Sequence, residues 1–212
     1  MTMNFYDKYV KRGLDLFFAF LALPFLMLIM LMVAPFIWLE DKGPIFYDGL
    51  RLGRNGVPFS MYKFRSMKVN APDIRLEDGS TYNGDDDPRV TKIGNFLRKT
   101  SIDELPQIFN ILKGEMSWVG VRPDPVDEMG RYTEEEKRIL LVKGGITGWN
   151  QAICRNEAGR DTKIKNDLYY VDNISIGLDI KIVLLTIKSV LFRENINRTV
   201  AGNAKKIDIN ER

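Results

Sequence analysis

The chain has 212 residues, with 31 Lys and Arg against 28 Asp and Glu, and its net charge of +3 is too small an excess to argue for nucleic acid. It has no histidine, which excludes Ser–His and Cys–His nucleophiles, a His general base and His-ligated metals. A single cysteine, Cys154, excludes an internal disulfide and a Cys-cluster zinc site, so any chemistry falls to carboxylates, Lys, Arg or a hard oxygen-bound metal.

The first element is apolar. From Leu16 to Leu39 no side chain is charged or strongly polar, a run of 24 residues. As a straight helix it measures about 36 Å, enough to cross a hydrocarbon core of about 30 Å. Pro24 and Pro35 interrupt it, and Pro24 predicts a kink near Leu23. Two topologies follow: a kinked single-pass helix, or a re-entrant hairpin that enters and leaves by one face. Lys8, Lys11 and Arg12 precede the run, and Lys42, Arg51 and Arg54 follow it, so the flanking charge is tied. A hairpin keeps both sets inside. Asp15 reads as the i,i+4 partner of Lys11.

The remainder shows no internal repeat. Pro44–Tyr47 and Pro58–Met67 read as extended. Residues 70–88, rich in Pro, Gly, Asn and Asp, read as a long exposed loop. Arg89–Lys99 and Leu105–Leu112 read as helices, the second stopped by Lys113-Gly114. Glu115–Val121 is extended, and Val126–Val142 reads as one amphipathic helix with a charged middle. Ser175–Arg193 is helical with a wide apolar face, suited to core packing, to a membrane surface, or to both. The stretch from about Asn195 is a polar tail.

The most pointed motif is Ser101-Ile-Asp103-Glu104-Leu-Pro106-Gln107. Adjacent helical carboxylates point about 100° apart and suit two different jobs rather than a shared proton. A capping box from Ser101 to Glu104 is the plain structural reading. A helix beginning at Asp103 instead puts Pro106 in the first turn, where no bond is lost. Either way the pair lies at a positive helix end, where an Asp stays ionised and a phosphate is favoured. Arg51, Arg54, Lys63, Arg65, Arg98, Lys99 and Arg122 supply cations, and the alternation Tyr62-Lys63-Phe64-Arg65 puts Lys63 and Arg65 on one strand face. Guanidinium groups near a helix start suit a diphosphate. Gly144-Gly145-Ile146-Thr147-Gly148 reads as a loop whose N–H groups approach phosphate or nucleotide. Asp85-Asp86-Asp87 has the form of a metal-holding DxD, but no apolar strand leads into it, and it reads as a solvated acidic loop. Cys154 reads as a small structural residue.

Taken in order, these motifs resemble the bacterial sugar transferases known as monotopic phosphoglycosyl transferases, most closely the small ones. The matching residues are Lys11-Arg12 and Asp15; Arg51-x-Gly53; Phe59-x-x-Tyr62-Lys63-Phe64-Arg65-Ser66-Met67; Asp87-Pro88-Arg89; Gly94; Leu97-Arg98; and Ser101 through Gln107. Further along they are Asn110-x-Leu112-Lys113-Gly114-x-Met116-Ser117, Gly120-x-Arg122-Pro123, Gly145-Ile146-Thr147-Gly148 and Asp167-x-x-Tyr170-x-x-Asn173-x-Ser175. Coverage runs from about Phe5 to Arg193. The chain departs from the family pattern at Leu23, Gly49, Val121 and Gly144, where Ser, Gln and two prolines are usual.

The resemblance implies an α/β, mostly α, cytoplasmic domain, with a re-entrant membrane helix broken at Leu23-Pro24 and amphipathic interfacial helices. The division is 1–42 hairpin, 43–194 catalytic domain and 195–212 tail. Asp103 is implied as the nucleophile and, with Glu104, as the Mg²⁺ site. Lys63, Arg65, Arg98 and Arg122 are assigned to substrate phosphate, and Gly145, Thr147, Gly148 and Gln151 to the nucleotide. The implied reaction transfers a sugar-1-phosphate from a UDP-sugar to polyprenol (undecaprenyl) phosphate through a phosphosugar-aspartyl intermediate, releasing UMP at the bacterial inner membrane. Nucleic acid is not an expected partner, and a homo-oligomer is left open. The competing readings are a metal-dependent glycosyltransferase using Asp85 and Asp87, and a non-catalytic single-pass scaffold.

Overall fold

The computed structural model describes residues 5–75, 82, 84, 86–154, 159–191 and 207–208. A π-helical turn, Tyr6–Val10, leads into helix α1, Lys11–Asp41. Strands β1 (Phe46–Leu52) and β2 (Pro58–Phe64) pair antiparallel, with Tyr47 opposite Lys63. A two-residue β3, Ile74–Arg75, pairs with β6, Ile207–Asp208. Helix α2 (Lys92–Thr100) is followed by a 3₁₀ turn, Ile102–Glu104, and by α3 (Gln107–Lys113). Strands β4 (Met116–Val119) and β5 (Gly144–Thr147) pair parallel. Helices α4 (Trp149–Cys154), α5 (Arg160–Asp172) and α6 (Ile176–Leu191) complete the order. The result is a mostly helical chain with small sheets.

Helix α1 is continuous through Pro24 and Pro35, so the expected break at Leu23-Pro24 is not an end of helix. Each proline removes one donor, and the bonds on either side carry the helix past it. If straight, its 31 residues would extend about 46 Å. Both of its ends are tied to the same folded domain. At the start, Arg12 donates to the carbonyls of Ile111 and Leu112 at 2.6 and 3.2 Å, satisfying the last turn of α3. At the end, the Arg65 guanidinium forks the Asp41 carboxylate, and Glu40 accepts from the N–H groups of Lys92 and Ile93, which open α2.

Asp15 does not serve as the salt-bridge partner of Lys11. Lys11 pairs with buried Asp179, which also accepts from Tyr6 and Tyr170. Asp15 instead accepts from the Ser117 hydroxyl (2.8 Å) and the Trp118 N–H (3.0 Å), where β4 offers two donors to one carboxylate.

Two apolar clusters hold the chain. The first joins Ala19, Leu26 and Ile37 of α1 to Phe59, Met61 and Phe64 of β2, Leu97 of α2, and Ile108 and Ile111 of α3. The second gathers Leu52, Val119, Tyr132, Ile139, Ile164, Tyr170 and Ile182. Much of α1 stays uncovered: Phe17, Phe25, Leu31 and Phe36 are each more than 60% exposed. One edge of α6 packs through Ile182, as core packing requires, while Ile180, Leu184 and Ile187 face outward.

The single helix expected over Val126–Val142 is two 3₁₀ stretches, Val126–Arg131 and Glu136–Leu141. Tyr132 is extended between them, and Thr133 and Glu136 exchange a capping box that starts the chain afresh. The stretch read as an exposed loop is partly interior. Asp87 and Arg89 are buried as a bidentate pair, and Arg89 also bonds the Tyr82 carbonyl at 2.8 Å. Of the polar tail, only Ile207–Asp208 lies among the described residues.

Candidate active site

The Asp103–Glu104 pair occupies the 3₁₀ turn between α2 and α3. Ser101, in the left-handed region at φ 57°, ends α2 and caps nothing with its side chain, so the expected capping box does not form. Pro106 sits at the N-cap of α3, before the first residue whose N–H would be missed. Lys63 from β2 and Arg122 from beyond β4 converge on one oxygen of Glu104. Their distances to Oε1 are 2.8 and 2.7 Å. Three distant segments thus meet at a single carboxylate.

The two neighbours are electrostatically unlike. Burial would raise the Glu104 carboxyl, but Arg122 and Lys63 outweigh it and hold the group well below the usual carboxylate range. Asp103 is buried and, among the described residues, forms no ion pair. Burial pushes it up to about 6, with Lys63 opposing and the Glu104 charge adding to the rise. The helix-start argument therefore understates the cost of burying this carboxylate. Arg122 is raised chiefly by Glu104.

The other expected site residues divide. Arg98 donates from Nε to the Ser66 hydroxyl (3.0 Å) and lies in the field of Asp103 and Asp87. Arg65 is elsewhere: its strand ends at Phe64, and its guanidinium is committed to Asp41 and to the carbonyls of Ile37, Pro44 and Met67. The segment Gly144–Thr147 is a strand rather than an open loop. The Gly145 N–H donates to the Val121 carbonyl and Thr147 accepts from the Gly120 N–H, both at 2.9 Å, so the Gly145 donor is not free for phosphate. The Thr147 hydroxyl bonds that of Thr186 at 2.6 Å. A Cβ on Gly145 or Gly148 would collide with the Gly120 backbone, so these glycines permit close approach of two chains. Gln151, on α4, has both side-chain polar atoms buried without a partner among the described residues. A buried amide in that condition suits a ligand group that would satisfy it. Leu23 packs on the first core cluster beside Pro24 in mid-helix.

Two adjacent carboxylates are hard oxygen donors and fit Mg²⁺, which keeps waters and takes substrate phosphates rather than a full protein cage. Among the described residues no group of three acidic side chains gathers, so such an ion would need substrate oxygens. Asp85 lies outside the described residues, and both oxygens of Asp87 are bonded by Arg89, which leaves the DxD reading without support.

Some linking residues carried no expected role. Buried Asn110 of α3 spans to β2, accepting from the Tyr62 N–H (3.0 Å) and donating to the Ser60 carbonyl (2.7 Å). Lys163 bridges Asp124 and Asp167 at 2.7 and 2.9 Å. Asn110 and Asp167 stand inside the ordered motifs, but no local spacing reveals such long-range partners.

A family model described as bacterial sugar transferase matches residues 6–193. The chain belongs to that family. It is 45% identical over 202 residues to the galactosyl transferase CpsE of Streptococcus agalactiae, covering 90% of this chain and 44% of that protein. It is 42% identical over 190 residues to the uncharacterized sugar transferase EpsL of Bacillus subtilis, covering 90% of this chain and 91% of that one. It is 40% identical over 189 residues to the UDP-N-acetylgalactosamine-undecaprenyl-phosphate N-acetylgalactosaminephosphotransferase of Aeromonas hydrophila, covering 86% and 44%. The chain thus spans less than half of the streptococcal and Aeromonas proteins and nearly all of the Bacillus one.

Proposed function

We propose that this family member transfers a sugar-1-phosphate from a UDP-sugar to polyprenol (undecaprenyl) phosphate through a covalent intermediate on Asp103, and so starts glycan assembly. The observation that carries the reading is the unlike pair: one carboxylate clamped by two cations, its neighbour buried and without an ion pair among the described residues. A carboxylate oxygen of Asp103 attacks the phosphorus that bears the sugar. The bond from that phosphorus to the UMP oxygen breaks, UMP leaves with the electron pair, and an acyl phosphate remains. An oxygen of the lipid phosphate then attacks the same phosphorus, the acyl bond breaks, and Asp103 returns as carboxylate. The donor and acceptor classes follow the name of the Aeromonas relative.

Glu104 holds Lys63 and Arg122 beside the reacting phosphate, where their charge offsets that of the transferring group. Arg98 adds a third cation. When bound at Asp103 and Glu104, Mg²⁺ supplies further charge neutralisation of the diphosphate. The unpaired amide of Gln151 supports a nucleotide contact. The ties at both ends of α1 support a re-entrant helix with the domain on the cytoplasmic face of the inner membrane, and its uncovered phenylalanines support burial in lipid.

The test is radiolabel transfer from a panel of UDP-sugars to undecaprenyl phosphate in detergent with Mg²⁺. Wild type should yield UMP and a labelled lipid, and without acceptor its intact mass should rise by one phosphosugar. Asp103→Asn should do neither; full turnover by that variant would sink the covalent reading. In inverted vesicles, both chain ends should be cleaved from the same side. Protection of one end alone would make α1 a span.

A further inference from the structure

We propose that a cavity of about 180 Å³ on the polar face of α2 receives the hexose ring of the donor and sets which sugar is transferred, an inference that rests on the transfer reading above. Its walls include Lys92, Asn95 and Arg98, which recur every third residue along α2, and Thr91 and Asp87 from the segment before it. Lys92, Asn95 and Arg98 share one face because three residues make almost one turn.

Size narrows the occupant. A hexose, a small ring bearing several hydroxyls, suits an opening of about 180 Å³ lined mainly by polar side chains. Position narrows it further. Arg98 lines the cavity and lies in the field of Asp103, and α2 ends one left-handed residue before the turn that carries the pair. A ring attached to the phosphorus under attack by Asp103 would enter this cavity past Arg98, the residue that the cavity and the proposed site share.

Two donors of the lining, Lys92 and Asn95, have little local employment. Thr91 is spent on the Gly94 N–H, and both oxygens of Asp87 are held by Arg89. No other described side chain engages the Asn95 amide or the Lys92 ammonium. Hydroxyl and acetamido oxygens are the acceptors such groups would meet. The lining leaves Asn95 alone able both to donate and to accept, which makes it the discriminating residue between epimers.

The experiment measures kcat/KM for UDP-glucose, UDP-galactose, UDP-N-acetylglucosamine and UDP-N-acetylgalactosamine with undecaprenyl phosphate, in wild type, Asn95→Ala and Lys92→Ala. UMP inhibition serves as the nucleotide control. Asn95→Ala should lower kcat/KM for the preferred sugar by about tenfold or more and shift the ratio between epimers by a like factor, with UMP inhibition unchanged. Both side chains are exposed on a helix that alanine favours, so the fold should persist. Equal losses for all four sugars, or no change in either variant, would overturn the cavity as sugar subsite. A wild type that binds UMP but transfers none of the four would overturn the transfer reading itself.

Discussion

Lys63 and Arg65 are two residues apart, and they serve different partners. Lys63 reaches Glu104, where it shares one carboxylate oxygen with Arg122, and the half-open site leaves that charge within reach of a phosphate. Arg65 is 6% exposed and spends its guanidinium on Asp41 and three carbonyls. The first arrangement sets two cations on one carboxylate oxygen, with Arg98 as a third cation and Asp103 as a second anion, which leaves a positive charge over for a phosphate. The second is closed, with five donor contacts and no capacity left. The difference teaches that a basic residue becomes a site residue through the charge its surroundings leave unmatched, rather than through its position on a strand.

The Arg65 clamp is where the comparison breaks hardest. Arg65→Ala frees the partly solvated Asp41 carboxylate and leaves the Ile37, Pro44 and Met67 carbonyls without their donor, so it should cost about 1–3 kcal/mol in denaturant unfolding, with turnover per folded molecule nearly intact. Arg65→Lys should recover only part, since an ammonium cannot fork a carboxylate. If Arg65→Ala unfolds like wild type but loses donor binding, Arg65 belongs to the phosphate site and the division fails.

Glu104→Gln tests the other side. The amide keeps shape but loses the charge that gathers Lys63 and Arg122, so turnover should fall by about 10²- to 10³-fold while thermal unfolding shifts by only a few degrees. A large stability loss with modest kinetic change would reclassify this centre as another clamp.

The Asp103–Glu104 pair stood out through its adjacent carboxylates and Pro106, but its catalytic role came only from the ordered resemblance, and the 3₁₀ turn that holds it between α2 and α3 was not legible. Lys63 was readable through strand alternation. Arg65 was not, because β2 ends at Phe64 and the partner, Asp41, lies 24 positions back at the end of an apolar helix. The Gly144–Thr147 strand was missed for a similar reason, since only pairing with β4 distinguishes it from a glycine loop. Asp87 looked solvated by composition, and only the fold brings it the Arg89 fork, held in turn by the Tyr82 and Pro72 carbonyls. Sequence thus marked which residues carry charge chemistry, and tertiary contacts decided which of them remained available.

Between the two regions stands Asn110. Its amide supplies β2 with a donor and an acceptor, and its Nδ2 also bonds Glu115 at 2.7 Å, so it sets the spacing of Lys63 from the turn before α3. Asn110→Ala leaves the Tyr62 N–H and Ser60 carbonyl unmet, at about 1–3 kcal/mol for a buried group. The expected kinetic signature is a fall in kcat with KM for the nucleotide sugar nearly unchanged. A rise in KM alone, at full kcat, would show that the Lys63–Glu104 spacing does not depend on this amide.

The smallest effect concerns a node with the opposite charge imbalance: two carboxylates, Asp124 and Asp167, on one lysine. Burial pushes Asp167 up to about 6 against the pull of Lys163. In the unfolded chain the group titrates near 3.9. The folded protein therefore holds this proton more tightly, and the stability it brings is complete below pH about 4 and is lost as pH climbs to about 6. The slope is about 1.4 kcal/mol per pH unit. Asp167→Asn removes that dependence, so the variant should gain on wild type steadily across this window and run parallel above pH 7. Urea unfolding at half-unit steps reads it directly. A constant offset across the window would mean that Lys163 satisfies Asp167 fully. In that case burial with a single shared cation would not leave charge unmatched, and the same logic would weaken for Glu104, whose two cations are the mirror image of this node.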